Sequence, residues 1–252
     1  MSASARLSGK RIIVTGAAQG LGREFALHLA SLGARVLAAD VAEAELDATC
    51  ARARSDGLEV TACVSDVRSA SAARALAEAA SAQLGGADGL VNNAAIVALP
   101  RRPFDEISED DWDRVLEVNV KGAWLCARAL VPLLRSAGGG SIVNLASEVA
   151  FSGSPGVAHY VASKAAIIGL TRVLARELGP AQIRVNALAP GFIPTEGSAV
   201  MQGEAPYDPS ATPLGRVGQP DDLLGALAFL ISDESAFVTG QTLLVNGGRL
   251  LG

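Results

Sequence analysis

The sequence predicts an α/β chain: a parallel sheet wound in both directions and covered by helices on both faces. Three observations carry this. Short continuous apolar runs, such as Ile12-Ile13-Val14, have the character of strands buried on both faces. Segments of helical period separate them, as parallel strands require for their crossovers. A glycine-rich turn, Gly16-x3-Gly20-x-Gly22, falls between the first strand and the first helix. Right-handed crossovers then give one doubly wound sheet, and residues 1–252 read as a single domain.

In chain order, residues 10–15 read as a strand and 23–32 as a helix, with Phe25, Ala26, Leu29 and Ala30 on its apolar face. Gly33 closes that helix and 34–40 is the second strand, so one strand–helix–strand unit fits within about 30 residues. The alternation continues with helix 43–55, strand 59–64, an alanine-rich helix 69–84 and strand 89–91. A long helix over 110–135 leads to strand 141–145. Helix 160–177 carries Ala166, Ile167, Leu170, Val173 and Leu174 on one face, followed by strand 183–188, helix 220–232 and strand 242–245. Residues 194–213, rich in Gly, Pro, Ser and Ala and without periodicity, predict a mobile substrate loop.

Composition narrows the functional classes. Half of the residues are hydrophobic and only 4% aromatic, which suits helices packed closely on a sheet. A net charge of −5 without a basic cluster argues against nucleic acid and anionic membrane as partners. Cys50, Cys63 and Cys126 form no CxxC pair and read as reduced thiols. Neither His28 nor His159 has ligands at metal-binding spacing, so no metal is expected. The N-terminus lacks the apolar core of a leader peptide, and the most hydrophobic stretch, 123–134, contains Arg128 and Pro132. The expectation is a soluble, cytoplasmic protein.

Open α/β sheets bind ligands beyond the carboxyl ends of their strands, where the strand order reverses. The loop Gly16 to Gly22, with Gln19 and Leu21 inside it, lies at such an end and opens a helix, so a pyrophosphate could approach its N–H groups. Asp40 ends the second strand, where a carboxylate can accept both ribose hydroxyls of NAD and repel the 2′-phosphate of NADP. The bland alternative is a helix N-cap. Val41 is apolar and no Arg or Lys is placed by the sequence to neutralise a phosphate, which favours NAD. Asp66 and Val67 end the third strand and could frame the adenine; Asn92, Asn93 and Ala94 end the fourth and could face the cofactor.

Tyr160 and Lys164 stand one helical turn apart, so phenol and ammonium share a face. A free tyrosine titrates near pH ~10; a neighbouring cation favours the phenolate and makes a usable proton acceptor. By itself such a pair is usually an ordinary feature of a surface helix.

Together these residues resemble the short-chain dehydrogenases/reductases. The matching pieces are Thr15-Gly16-x3-Gly20-x-Gly22, Asp40, Asp66-Val67, Asn92-Asn93-Ala94, Asn119, Ser147, Tyr160-x3-Lys164, Pro190-Gly191 with Thr195, and Thr239-Gly240-Gln241 before Gly247-Gly248. They follow the family's order over essentially the whole chain. The resemblance implies a Rossmann-type fold and a role for each position. Tyr160 would be the general acid/base, and Lys164 would lower its pKa and hold the nicotinamide ribose. Ser147 would hydrogen-bond the substrate oxygen, and Asn119 would anchor a water that relays protons to Lys164. The Ile193 backbone and the Thr195 hydroxyl would contact the carboxamide. It also suggests a homotetramer paired through the helices at 110–135 and 160–177.

Three positions depart from the family pattern: Ala95 after Asn-Asn-Ala, Glu148 after Ser147, and Asn246 before the glycine pair. Glu148 either recognises a polar or cationic substrate or caps a loop; the residues leave both open. Ile96, Phe151, Phe192, Met201 and Tyr207 are the apolar candidates around the substrate, with His159 and Glu148 at its polar edge. The leading expectation is an NAD-dependent dehydrogenase of a small secondary or aryl alcohol, or the reverse ketone reduction. A 3-oxoacyl thioester reductase is the enzymatic alternative, disfavoured by Asp40. A non-catalytic nucleotide-binding regulatory protein is the other class, disfavoured by the intact Asn119, Ser147, Tyr160 and Lys164.

Overall fold

The computed structural model describes residues 6–97, 99–198 and 208–251. Seven strands form one parallel sheet: β1 (Arg11–Thr15), β2 (Arg35–Asp40), β3 (Val60–Val64), β4 (Gly89–Asn92), β5 (Gly140–Leu145), β6 (Ile183–Pro190) and β7 (Thr242–Val245). Their order across the sheet is β3-β2-β1-β4-β5-β6-β7. The chain moves outward from β1 to β3, then restarts beside β1 at β4. The reversal opens a crevice between the carboxyl ends of β1 and β4.

Strand parity divides the core. Ile12 and Val14 of β1 face one side with Val91 and Val143, under Phe25 and Leu29 of α1 (Gly20–Ser31). The intervening Ile13 faces the other side with Leu90 and Ile142. Successive side chains of a strand point to opposite faces, so a run of apolar residues is needed where both faces are covered. α2 (Glu43–Ser55) packs on β3. The second face is covered by Leu76 of α3 (Ala70–Ala79), then Leu130 and Leu134 of α5 (Ala123–Ser136) and Leu178 of α7 (Ala158–Leu178). Leu223, Leu227 and Leu230 of α8 (Asp221–Ile231) complete the first face.

The long helix expected over 110–135 is interrupted. It consists of α4 (Glu109–Leu116) and α5 joined by a π-helical turn, Glu117–Gly122, which contains Asn119. Helix 69–84 likewise ends in a π-turn, Ala80–Leu84. Hydrophobic period cannot distinguish these local underwindings, because the apolar face continues through them. A short helix α6 (Val149–Ser152) follows Ser147 and was not expected. Helix α1 begins at Gly20 rather than residue 23, because the glycine loop itself forms the first turn.

Candidate active site

The glycine loop is stitched to the end of β4. Asn93 Nδ2 donates to the Thr15 and Gly16 carbonyls at 3.0 Å each, and Thr15 Oγ1 accepts from Asn93 N at 3.1 Å and Ala94 N at 3.2 Å. Gly16 sits at φ +68°, and a Cβ there would lie 2.7 Å from Ala94 Cα. Gly22 differs from the other two glycines. It does not line the cleft; a Cβ on it would fall 1.9 Å from the Gly16 carbonyl oxygen. Its role is the close packing of α1 onto the loop. Gly16, Gln19, Gly20 and Leu21 do line the cleft, whose volume is about 780 Å³.

Asp40, Asp66, Val67, Asn93, Ile193 and Thr195 line the same cleft. Asp40 Oδ2 accepts from Ala18 N at 3.0 Å, while Oδ1 accepts from Val41 N at 2.7 Å and Ala42 N at 3.1 Å. Asp40 therefore fixes the glycine loop and the turn that leads into α2 while facing the cleft, and it is not the N-cap of α2, which is Ala42. A carboxylate has about four lone-pair sites, so three amides leave Asp40 room for a single further donor rather than two. Arg68 lines the cleft beside Asp66, but its guanidinium is committed to that carboxylate through Nε at 3.0 Å and Nη2 at 2.6 Å. This pairing holds the Asp66 carboxyl below its ordinary range.

Tyr160 and Lys164 project from the first turns of α7 towards the end of β5 and are almost completely buried. Lys164 Nζ donates to the Leu145 carbonyl at 2.7 Å and lies 5.6 Å from the centre of the Tyr160 ring. Ser147, two residues beyond β5, lines the cleft beside Tyr160. Burial pushes the Tyr160 phenol up to about 12, a rise that Ser147 opposes, and pulls the Lys164 ammonium down to about 8. The expected lowering of the phenol by Lys164 is not seen in the chain alone, because loss of water outweighs it.

Asn119 does not reach the cleft. Its Oδ1 accepts from Ile96 N at 2.7 Å, and its Nδ2 donates to Ile96 O at 3.3 Å and Ser163 Oγ at 3.0 Å. Ser163 Oγ in turn donates to the Tyr160 carbonyl at 2.7 Å. The π-turn thereby ties the cleft-lining backbone at Ile96 to the helix turn that carries Tyr160.

At the substrate end, Ser147, Glu148, Ile96 and Phe192 line the cleft. His159 does not. Adjacent to Tyr160 on a helix, it points about 100° away from it and is buried instead, its Nδ1 without a hydrogen-bond partner among the described residues. Phe151 is half exposed and also outside the cleft, while Met201 and Tyr207 lie outside the described residues. So do residues 199–207 of the expected substrate loop; its described start is folded, with Ser198 Oγ donating to Ile193 O at 3.0 Å. Sequence reading missed Arg101, Arg114 and Arg249, which line the cleft from three separate segments and carry no local motif.

A family model described as enoyl-(acyl carrier protein) reductase matches residues 16–249. The chain belongs to the short-chain dehydrogenase/reductase family. It is 39% identical over 249 residues to the 3-oxoacyl-[acyl-carrier-protein] reductase FabG of Thermotoga maritima, covering 98% of this chain and 100% of that one. Identity to human dehydrogenase/reductase SDR family member 4 is 38%, covering 96% of this chain and 88% of the relative. Among solved structures, the 3-ketoacyl-(acyl-carrier-protein) reductase of Brucella melitensis complexed with NADH superposes with a TM-score of 0.90 at 34% identity, covering 97% of this chain and 100% of that one. A short-chain type dehydrogenase/reductase from Mycobacterium marinum gives 0.91 at 34% identity, covering 98% and 97%. As a member of this family the chain is an oxidoreductase with a site for a nicotinamide cofactor. No helix among the described residues is long and apolar enough to cross a membrane, and no group of three His, Cys, Asp or Glu there could hold a metal ion.

Proposed function

We propose that this short-chain dehydrogenase/reductase transfers a hydride between NAD(H) and a small secondary or aryl alcohol or its ketone. The observation that carries the reading is that Ser147, Tyr160 and the buried Lys164 line the same cleft as the glycine loop and Asp40. The cofactor fits the chain's own residues. Gly16, at φ +68° and packed against Ala94, lets the loop turn tightly, and Gly20 opens the N-terminus of α1, which attracts a pyrophosphate. Asp40, Asp66 with Val67, Asn93, Lys164, Ile193 and Thr195 would hold the rest. Bound there, the nicotinamide supplies the hydride acceptor or donor.

The protein's part is positioning and proton transfer. Ser147 holds the substrate oxygen, and Tyr160 takes its proton on oxidation and returns one on reduction. Lys164 keeps positive charge beside the developing phenolate, and Asn119 braces the helix turn that carries Tyr160. Asp40, an anion where an adenosine 2′-phosphate would sit, supports NAD over NADP. The names of the acyl-carrier-protein reductases among the relatives favour a second reading, reduction of a 3-oxoacyl thioester. We also carry forward a cytoplasmic homotetramer; half-exposed Trp124 on α5 and Val173 on α7 support helix pairing between copies.

The test is Tyr160→Phe, assayed by NADH absorbance against a panel of secondary alcohols and a 3-oxoacyl thioester. Loss of about 10²–10⁴-fold in turnover with NAD binding retained is expected. A variant keeping more than about a tenth of the wild-type rate refutes the acid/base assignment. Turnover confined to the thioester selects the second reading.

A further inference from the structure

Glu148 follows Ser147 and lines the cleft while only 7% exposed. Its backbone is fixed on both sides: its N–H donates to Pro190 O at 2.9 Å, and its carbonyl accepts from Phe151 N at 2.9 Å. One carboxylate oxygen, Oε2, accepts from Asn246 Nδ2 at 3.1 Å. Asn246 is itself held, its Oδ1 accepting from Gly248 N at 3.1 Å and its Nδ2 also donating to Leu250 O at 3.2 Å. Two of the three departures from the family pattern are thus partners across 98 residues of chain. The loop-cap alternative does not explain the side chain, because the cap is made by the backbone carbonyl alone.

The other carboxylate oxygen, Oε1, has no hydrogen-bond donor among the described residues and is not sealed within the protein. A largely buried carboxylate oxygen without a donor is costly, so a ligand that brings one gains affinity. The charge of that donor follows from Arg249. Arg249 lines the same cleft and offsets part of the Glu148 charge, which weakens the pull on a cationic donor relative to a neutral hydroxyl.

On the reading proposed above, we infer that Glu148 is a specificity-determining residue. It selects alcohols with a second hydroxyl on the carbon next to the reacting one: vicinal diols and polyols, with α-hydroxy ketones as products. In the oxidation a C–H hydride passes to the nicotinamide, the O–H proton passes to Tyr160, and a C=O forms. The second hydroxyl keeps its proton and donates to Glu148 Oε1.

The test compares kcat/KM for 2,3-butanediol and 2-butanol in the wild type, Glu148→Ala, Glu148→Gln and Asn246→Ala, with melting curves to verify folding. The wild type is expected to favour the diol about tenfold or more, chiefly through KM, because a site built to accept a hydrogen bond rejects the analogue lacking it. Glu148→Ala brings the ratio near one. Glu148→Gln preserves volume and lowers the ratio in part, as does Asn246→Ala by releasing the carboxylate. A wild-type ratio near one, a ratio unchanged in both Glu148 variants, or faster turnover of 3-amino-2-butanol than of the diol overturns the inference and leaves alcohol oxidation standing. No turnover of either alcohol with NAD or NADP overturns both.

Discussion

Replacing Lys164 by Met tests the electrostatics of the site without cofactor or substrate. The Lys164 ammonium is buried with the Leu145 carbonyl as its acceptor, and burial pulls its pKa from 10.5 to about 8. The unfolded chain keeps the ordinary value, so between pH 8 and 10.5 it binds a proton that the folded chain has released. Stability therefore rises with pH across this window, and below it the folded protein carries the full cost of the buried charge. A displacement of this size corresponds to about 3 kcal/mol at ~1.4 kcal/mol per pH unit. Met has similar length and no charge, so its variant lacks this dependence. The orphaned Leu145 carbonyl adds an offset of about 1–3 kcal/mol that does not vary with pH. The assay is urea unfolding of both cofactor-free proteins at pH 7 and pH 10, where the contribution of Tyr160 is common to both and cancels in the comparison. The stability of Lys164→Met relative to wild type is expected to fall by about 2 kcal/mol or more between those values. A constant difference would show that Lys164 titrates normally and that burial does not govern the site.

Tyr160 moves in the opposite direction, from 10 to about 12, and contributes stability that is lost as pH rises through that interval. The chain has only two tyrosines, so tyrosinate absorbance at alkaline pH resolves Tyr160 by difference from Tyr160→Phe. In the cofactor-free protein its step is expected above pH ~11, and with NAD bound it moves down as the pyridinium charge favours the phenolate. An unchanged step would remove the phenolate from the mechanism. For nucleotide choice, NAD is expected to exceed NADP by at least ~100-fold in kcat/KM, and Asp40→Ala with Val41→Arg to shrink or invert that ratio. The same double variant should melt earlier, because the amides of Ala18, Val41 and Ala42 lose their acceptor. Comparable rates with both nucleotides in the wild type would show that Asp40 does not face the ribose.

The sequence by itself determined the alternation of strands and helices, the glycine loop and the Tyr160–Lys164 spacing. Each is local: a buried strand needs a run of apolar residues, a tight turn needs glycine, and one helical turn is four residues. The strand reversal that opens the cleft was expected from the general rule for doubly wound sheets, and no single residue marks it. Tertiary structure decided the rest. The π-turn at Asn119 leaves no trace in hydrophobic period, yet it sets the bonds to Ile96 and Ser163. His159 and Tyr160 are neighbours in sequence but diverge by helical rotation, so only Tyr160 faces the cleft. Arg68 lies two residues from Asp66, but only the fold shows that it is neutralised there. Glu148 and Asn246 each depart from the family pattern for no reason visible in the sequence. Strands β5 and β7 bring them within a hydrogen bond, with β6 between them, and a contact made across a sheet has no local signal to read.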